Sequence, residues 1–289
     1  MEWTREVGRG VWLRPRLGAP GTVSGTAAGG FEAYARILHP FRLDRGDSTP
    51  SWTWAELAGR TGRTLHPLSQ AANLLGSAEQ AEVDGWSVGL PEQGFLDPGS
   101  LAALVGPLAA ATTRPDDVTI GVWDGWGDLH PGSGVVFGWD EGGPLRGARL
   151  RAAQEDYRES MASALDPGVA RAARRGRSGR ASRHVLQTPG RAYVLLRGTL
   201  AELADPEWPR AAGIGWRDGF PGPMPALIWP ADHAWCVASE IDFDSTIVAG
   251  PRDLVDAVLA APAVEALEVP EHGDLTWDGD PVNPTPRRS

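Results

Sequence analysis

Leu227-Ile228-Trp229-Pro230-Ala231-Asp232-His233-Ala234-Trp235-Cys236-Val237-Ala238 is the stretch on which the fold turns. Two apolar runs, 227–229 and 234–238, flank the turn formers Pro230-Ala231-Asp232-His233. Apolar runs separated by such a cluster read as a β-hairpin. The alternation of Trp229, Trp235 and Val237 predicts three buried side chains on one strand face. Thr246-Ile247-Val248 follows as another strand. Pro251 then opens a helix whose apolar face is Leu254, Val255, Val258 and Leu259. Ala263 to Val269 makes a last strand.

Working toward the N-terminus, Ala192-Tyr193-Val194-Leu195-Leu196 is an apolar run suited to a buried strand. Val118 to Trp123 is a strand entering the turn Asp124-Gly125-Trp126-Gly127, and Phe31 to Leu38 is a strand ending at His39-Pro40. Thr53-Trp54-Ala55-Glu56 matches a capping box and predicts a short helix that stops at Gly59. Asp97-Pro98 caps a helix with Leu101, Leu104, Val105 and Leu108 on one face, and Pro107 predicts a kink or an early end. The expected fold is α+β: one mixed or largely antiparallel sheet with a few short helices.

Residues 1–30 read as an N-terminal arm and flexible linker, since 18–30 are mostly Gly, Ala and Thr. Residues 31–289 read as one α+β domain interrupted by an arginine-rich insertion at about 141–184. Residues 146–183 hold ten arginines and four acids, in a chain whose formal net charge is −10. Arg151 to Leu165 is expected to be helical, and the tract from Ala170 through Arg180 disordered. A solvated insertion explains that tract, although arginines so spaced can also grip RNA or phosphate.

Arginine supplies all 27 basic residues, because the chain has no lysine. That excludes a phosphate-loop lysine, a Schiff-base lysine, a kinase lysine and a Ser-x-x-Lys acylase. No cofactor is expected. The acidic balance disfavours bulk binding to nucleic acid or to anionic membranes. One cysteine, Cys236, makes neither an internal disulfide nor a cysteine-based zinc site, and its apolar neighbours predict a buried, inert thiol. The residues after Met1 lack the apolar run of a signal peptide, and no window is long and apolar enough for a membrane span. A soluble, cytoplasmic protein with no membrane partner is expected.

Ile241-Asp242-Phe243-Asp244-Ser245-Thr246 resembles the first motif of the haloacid-dehalogenase phosphatases, in which the first carboxylate attacks phosphorus and the second manages the leaving-group proton. The resemblance fails downstream. The stretch from Asp242 to residue 289 is too short for that superfamily's later motifs, and its basic residue, usually lysine, has no counterpart.

Three constellations remain. Glu240, Asp242 and Asp244, with Asp278 and Asp280 as further members, could bind a hard cation or act as an acid–base pair. The plainer alternative is a polar turn in which Asp244 or Ser245 caps backbone amides. Trp123, Trp126 and Trp139, with Asp124, could offer a stacking platform to a ligand or partner, or could simply staple a glycine-rich turn. His39, His66 and His130 each stand in a Leu-His-Pro tripeptide, but their spacing carries no metal signature, and no metal is expected.

The reading favoured by these residues is a non-enzymatic binding or interaction protein. Its partner, an unidentified protein or small molecule, would meet Trp123, Trp126 and Asp124. The first rival is a hydrolase using Glu240, Asp242 and Asp244, with or without a divalent cation. The second is nucleic-acid contact through the arginine-rich insertion.

His39-Pro40, Trp54-Ala55-Glu56, His66-Pro67, Val122-Trp123-Asp124-Gly125-Trp126-Gly127 and the block from Trp229 through Thr246 resemble a family of proteins from high-GC bacteria, over roughly residues 31–280. The family usually has arginine where this chain has His233, and tyrosine and glycine where it has Ile247 and Ala249. No activity is attached to it, so the resemblance implies a shared fold and nothing about chemistry.

Overall fold

The predicted hairpin lies in the middle of a large sheet. The computed structural model describes residues 1–44, 50–131, 139–140, 143–144, 146–176 and 183–286. In chain order the strands used below are β1 (Glu2–Trp3), β2 (Ala33–Leu38), β3 (Phe41–Asp44), β4 (Ser51–Trp52), β5 (Gln80–Val83), β6 (Trp86–Gly89), β7 (Val118–Trp123), β8 (Leu186–Thr188), β9 (Arg191–Gly198), β10 (Leu227–Pro230), β11 (Cys236–Ser239), β12 (Ser245–Gly250) and β13 (Glu265–Glu268). The main sheet runs β1-β9-β7-β10-β11-β12-β2-β13, with β8 also on β9, and every pair is antiparallel. A second antiparallel sheet, β4-β3-β6-β5, continues from β2 through His39-Pro40. The fold is thus α+β and largely antiparallel.

Antiparallel sheets often leave one face wet, with strands that alternate apolar and polar. The central strands here are instead buried on both faces, with Arg36, Thr119, Ser245 and Thr246 as buried polar members, because both faces are covered. On one face Ile37, Val118, Ile120, Val122, Val194 and Val248 pack under the helices Pro98–Ala110, Pro167–Gly176 and Arg252–Leu259. On the other, Tyr34, Leu195, Leu227, Trp229, Cys236 and Ile247 meet Leu13, Val23 and Ala27 of the N-terminal arm. Trp229 and Trp235 are both fully buried, but on opposite faces, which corrects the expectation that they share one with Val237. Trp235 precedes β11, so the simple alternation of a single strand does not link it to Trp229.

The arm does not behave as its composition predicts. Residues 7–16 form a 3-10 helix, and Val23–Ala27 form a helical turn capped by Thr22, whose Oγ1 accepts from Gly25 N–H at 3.1 Å. The small residues permit close approach rather than slack: a Cβ at Gly25 would lie 2.0 Å from the Ala19 carbonyl oxygen. Trp12 stacks on His233 at 4.6 Å and meets Trp229 edge-on, which pins the arm to the hairpin. Val23 N–H donates to Gly273 O at 3.0 Å and Leu275 N–H to Gly21 O at 2.8 Å, so the arm is also tied to the C-terminal segment.

The arginine-rich insertion is corrected likewise. Helices span Gly147–Ser163 and Pro167–Gly176. Val169, Ala172 and Ala173 are fully buried, and they join the main core at the i, i+3, i+4 spacing of an amphipathic helix. The predicted disorder at 177–182 lies outside the described residues. The Thr53/Glu56 capping box forms as expected, but its helix passes Gly59 and ends at Gly62, which adopts φ 67°. Pro107 does not end the helix that Asp97 caps, which continues to Ala110. No helix of the described residues is long and apolar enough to cross a membrane.

Candidate ligand cleft

β11 ends at Ser239 and β12 begins at Ser245, so Glu240, Asp242 and Asp244 all sit on the connecting turn, closed by Phe243 N–H donating to Glu240 O at 3.0 Å. The turn separates its carboxylates. Arg191, at the start of β9, donates from Nε to Glu240 Oε1 at 3.0 Å and from Nη2 to Asp242 Oδ2 at 2.7 Å. Burial opposes the Arg191 charge, but hydrogen bonding and attraction from Glu240, then Asp242, outweigh it and raise its pKa.

Asp244 points the other way. It accepts from Nη2 of Arg36 at 3.2 Å. Arg36 is fully buried, and its remaining hydrogen bonds run to Ser245 Oγ at 2.9 Å, Pro67 O at 3.0 Å and Ser69 O at 2.8 Å. Burial pulls the Arg36 pKa down, and Asp244 opposes that pull. The three carboxylates therefore serve two different arginines. Asp280 is elsewhere again: it accepts from His66 Nε2 at 2.8 Å and from the backbone N–H groups of Gln70 and Asn283. Burial would raise its pKa, but these bonds, led by those from Asn283, hold it well below the ordinary carboxylate range.

The tryptophan turn is built inward. The Trp123 ring has the Arg191 guanidinium 5.5 Å from its centroid and Trp126 edge-on at 5.8 Å. A Cβ at Gly125 would lie 2.1 Å from the same ring, so only glycine lets the backbone pass there. Trp126 packs on the main core. The side chain of Trp139 lies outside the described residues. Trp123 thus meets Arg191 and Trp126 and stays partly exposed. Asp124 abuts Gly176 at the end of the arginine helix.

The histidines do not converge. His39 is buried, with Nδ1 2.7 Å from Glu92 O and Nε2 2.9 Å from Thr246 Oγ1, and its pKa is lowered by burial. His66 pairs with Asp280, and His130 reaches the Asp124 carbonyl. Among the described residues no group of three His, Cys, Asp or Glu is placed to hold a metal ion. Cys236 is buried, and burial pushes its thiol up to about 12.

What the geometry does create is a cleft of about 550 Å³ between the arm and the strand ends of the sheet, lined by Leu17, Pro20 and Thr26 on one side and by Arg191, Glu240 and Asp242 on the other. A second hollow of about 390 Å³, lined by Trp123, Asp124 and Gln187, shares Gly190 and Arg191 with it. Arg191 is the wall between the two. Two separately predicted groups, the carboxylates and the tryptophan turn, thus meet through a residue that the sequence does not mark. Thr188-Pro189-Gly190 before Arg191 signals only a turn.

Compared with protein-family models, with characterised proteins and with solved structures, the chain shows no match.

Proposed function

We propose that this chain is a cytoplasmic, non-enzymatic binding protein whose small-molecule or protein partner seats in the cleft beside Arg191. The observation that carries this reading is the arrangement of Arg191: one guanidinium holds Glu240 and Asp242 and lies over Trp123 at the junction of two hollows. A concave surface with a few converging polar groups beside apolar walls is the usual form of a recognition site. The hydrolase reading asks for a carboxylate ready to take a proton from water. Here Glu240 and Asp242 are engaged by Arg191 and Asp244 by Arg36, which favours binding over turnover.

The test is affinity capture from native lysate, with mass spectrometry of retained proteins and small molecules, for wild type and Arg191→Ala. A species held by wild type and lost from Arg191→Ala is expected. Equal retention by both, or ester or phosphoester hydrolysis that Asp242→Asn abolishes, would overturn the reading.

A further inference from the structure

The charges on the cleft wall are paired, but their hydrogen-bonding capacity is not spent. The Arg191 guanidinium carries several N–H donors in a fixed fork. Its Nε and Nη2 are used on Glu240 Oε1 and Asp242 Oδ2. Nη1 has no hydrogen-bond partner among the described residues, and neither has Glu240 Oε2 or Asp242 Oδ1. The Arg191 and Glu240 side chains keep 28% and 23% of their surface exposed and Asp242 keeps 69%, so this capacity is open to solvent. A donor thus stands between two acceptors on one wall.

The rest of the lining is uncharged. Leu17 and Pro20 face the trio from the arm, and Pro189 and the partly buried Phe243 ring flank it. Two carboxylates against one guanidinium leave the wall net negative, which repels a phosphate or carboxylate ligand. An ammonium ion donates hydrogen bonds but accepts none, so it would leave Arg191 Nη1 unmet and would lie beside a fixed positive charge. A peptide amide brings one donor to two acceptors. A hydroxyl both donates and accepts. Neighbouring hydroxyls on one ring can donate to both carboxylates and accept from the guanidinium between them, all as charge-assisted bonds. The C–H face of such a ring suits the apolar walls, and the volume is that of an ordinary small-molecule site.

Resting on the cleft reading above, we propose that the molecule seated there is a neutral polyhydroxylated one, a sugar, held through neighbouring hydroxyls by Glu240, Arg191 and Asp242. The ion pairs then have a second role. They fix the two carboxylates and the guanidinium in one plane of recognition before the ligand arrives, so little ordering is left to be done on binding.

The test is saturation-transfer NMR of the full chain with a panel of neutral mono- and disaccharides, and with spermidine and pyrophosphate as charged controls. Wild type is expected to bind at least one saccharide. Titration of the strongest binder should show a loss of about tenfold or more in Asp242→Asn, which turns an acceptor into a donor. Arg191→Ala should bring binding below detection. Asp242 is exposed, so Asp242→Asn should keep the wild-type melting temperature, which separates a lost contact from unfolding. Unchanged affinity in both variants, or tighter binding of spermidine or pyrophosphate, overturns the proposal. The absence of any saccharide signal also overturns it. If lysate capture still yields a species that depends on Arg191, the binding reading survives that failure; if it yields none, both fall.

Discussion

Trp229 and Trp235, on the two arms of one hairpin, send their indoles to opposite faces of the same sheet. Trp229 Nε1 donates to Arg9 O at 3.2 Å, which ties the sheet to the N-terminal arm. Trp235 Nε1 donates to Leu108 O at 2.9 Å, which ties it to the helix Pro98–Ala110. Each ring joins a layer to the sheet by packing and by one hydrogen bond. Trp235→Ala is expected to cost about 3–5 kcal/mol in urea unfolding. Trp235→Phe keeps most of the volume, but it leaves the Leu108 carbonyl without its donor and should cost about 1–3 kcal/mol. A loss below about 1 kcal/mol for Trp235→Ala would contradict the packing.

Helix Pro167–Gly176 supplies core, so removing it should unfold the protein. Deletion of residues 170–183 is expected to lower the melting temperature sharply or to give no folded product. Ala172→Asp puts an unpaired carboxylate where Ala172 is fully buried, and should cost about 3 kcal/mol or more. Arg171→Gln/Arg174→Gln touches only exposed side chains and should stay within about 0.5 kcal/mol of wild type. Thermal unfolding followed by circular dichroism would check all three.

Millimolar magnesium, calcium or manganese should leave the wild-type melting temperature unchanged, because the carboxylates at 240–244 are already neutralised by two arginines. Arg191→Ala leaves Glu240 and Asp242 without their cation, and that variant alone should be stabilised by a divalent ion through mass action. Scanning fluorimetry with and without metal measures this. A shift in wild type that Asp242→Asn/Asp244→Asn removes would restore the hydrolase reading.

Acid should act in two stages. His39 is buried and its pKa is lowered in the fold, so below its ordinary value of 6.5 the unfolded chain takes up the proton first. Its contribution is full above that pH and is lost as pH falls toward the folded value. Asp280 is likewise depressed, so its contribution is full above its ordinary value of 3.8 and is lost as pH falls further. His39→Gln should reduce the upper stage, which His184 and His233 share, and Asp280→Asn the lower one, which Asp117 and Asp232 share, measured as unfolding free energy against pH. A single unbroken slope in both variants would contradict these assignments.

The strands around the hairpin were legible because periodicity and turn residues agree there: the expected bounds of Val118–Trp123 match the structure at both ends. The capping box at Thr53 was legible because its two partners are local in sequence. The arm was not, because Gly and Ala that allow close packing look the same in sequence as Gly and Ala that confer slack. The arginine helix was misread because its buried face is Val169, Ala172 and Ala173, small side chains outweighed in composition by the arginines between them. The carboxylates were visible, but their partners were not. Arg191 and Arg36 reach them from strands far away in sequence, and only the pairing of the sheet brings them together.

The bonds between the arm and residues 271–275 set an order of events. Residues 7–27 leave the ribosome well before Gly273 and Leu275, whose backbone groups hold Val23 and Gly21. Until then Leu13 and Val23 have no closed layer to enter, and the face of the sheet that carries Trp229 stays open to water. Contacts so distant along the chain slow folding and lengthen the time that apolar surface is exposed. The arm is thus secured only once residues 271–275 have been made, and a nascent chain arrested before residue 271 should present an uncovered sheet to chaperones.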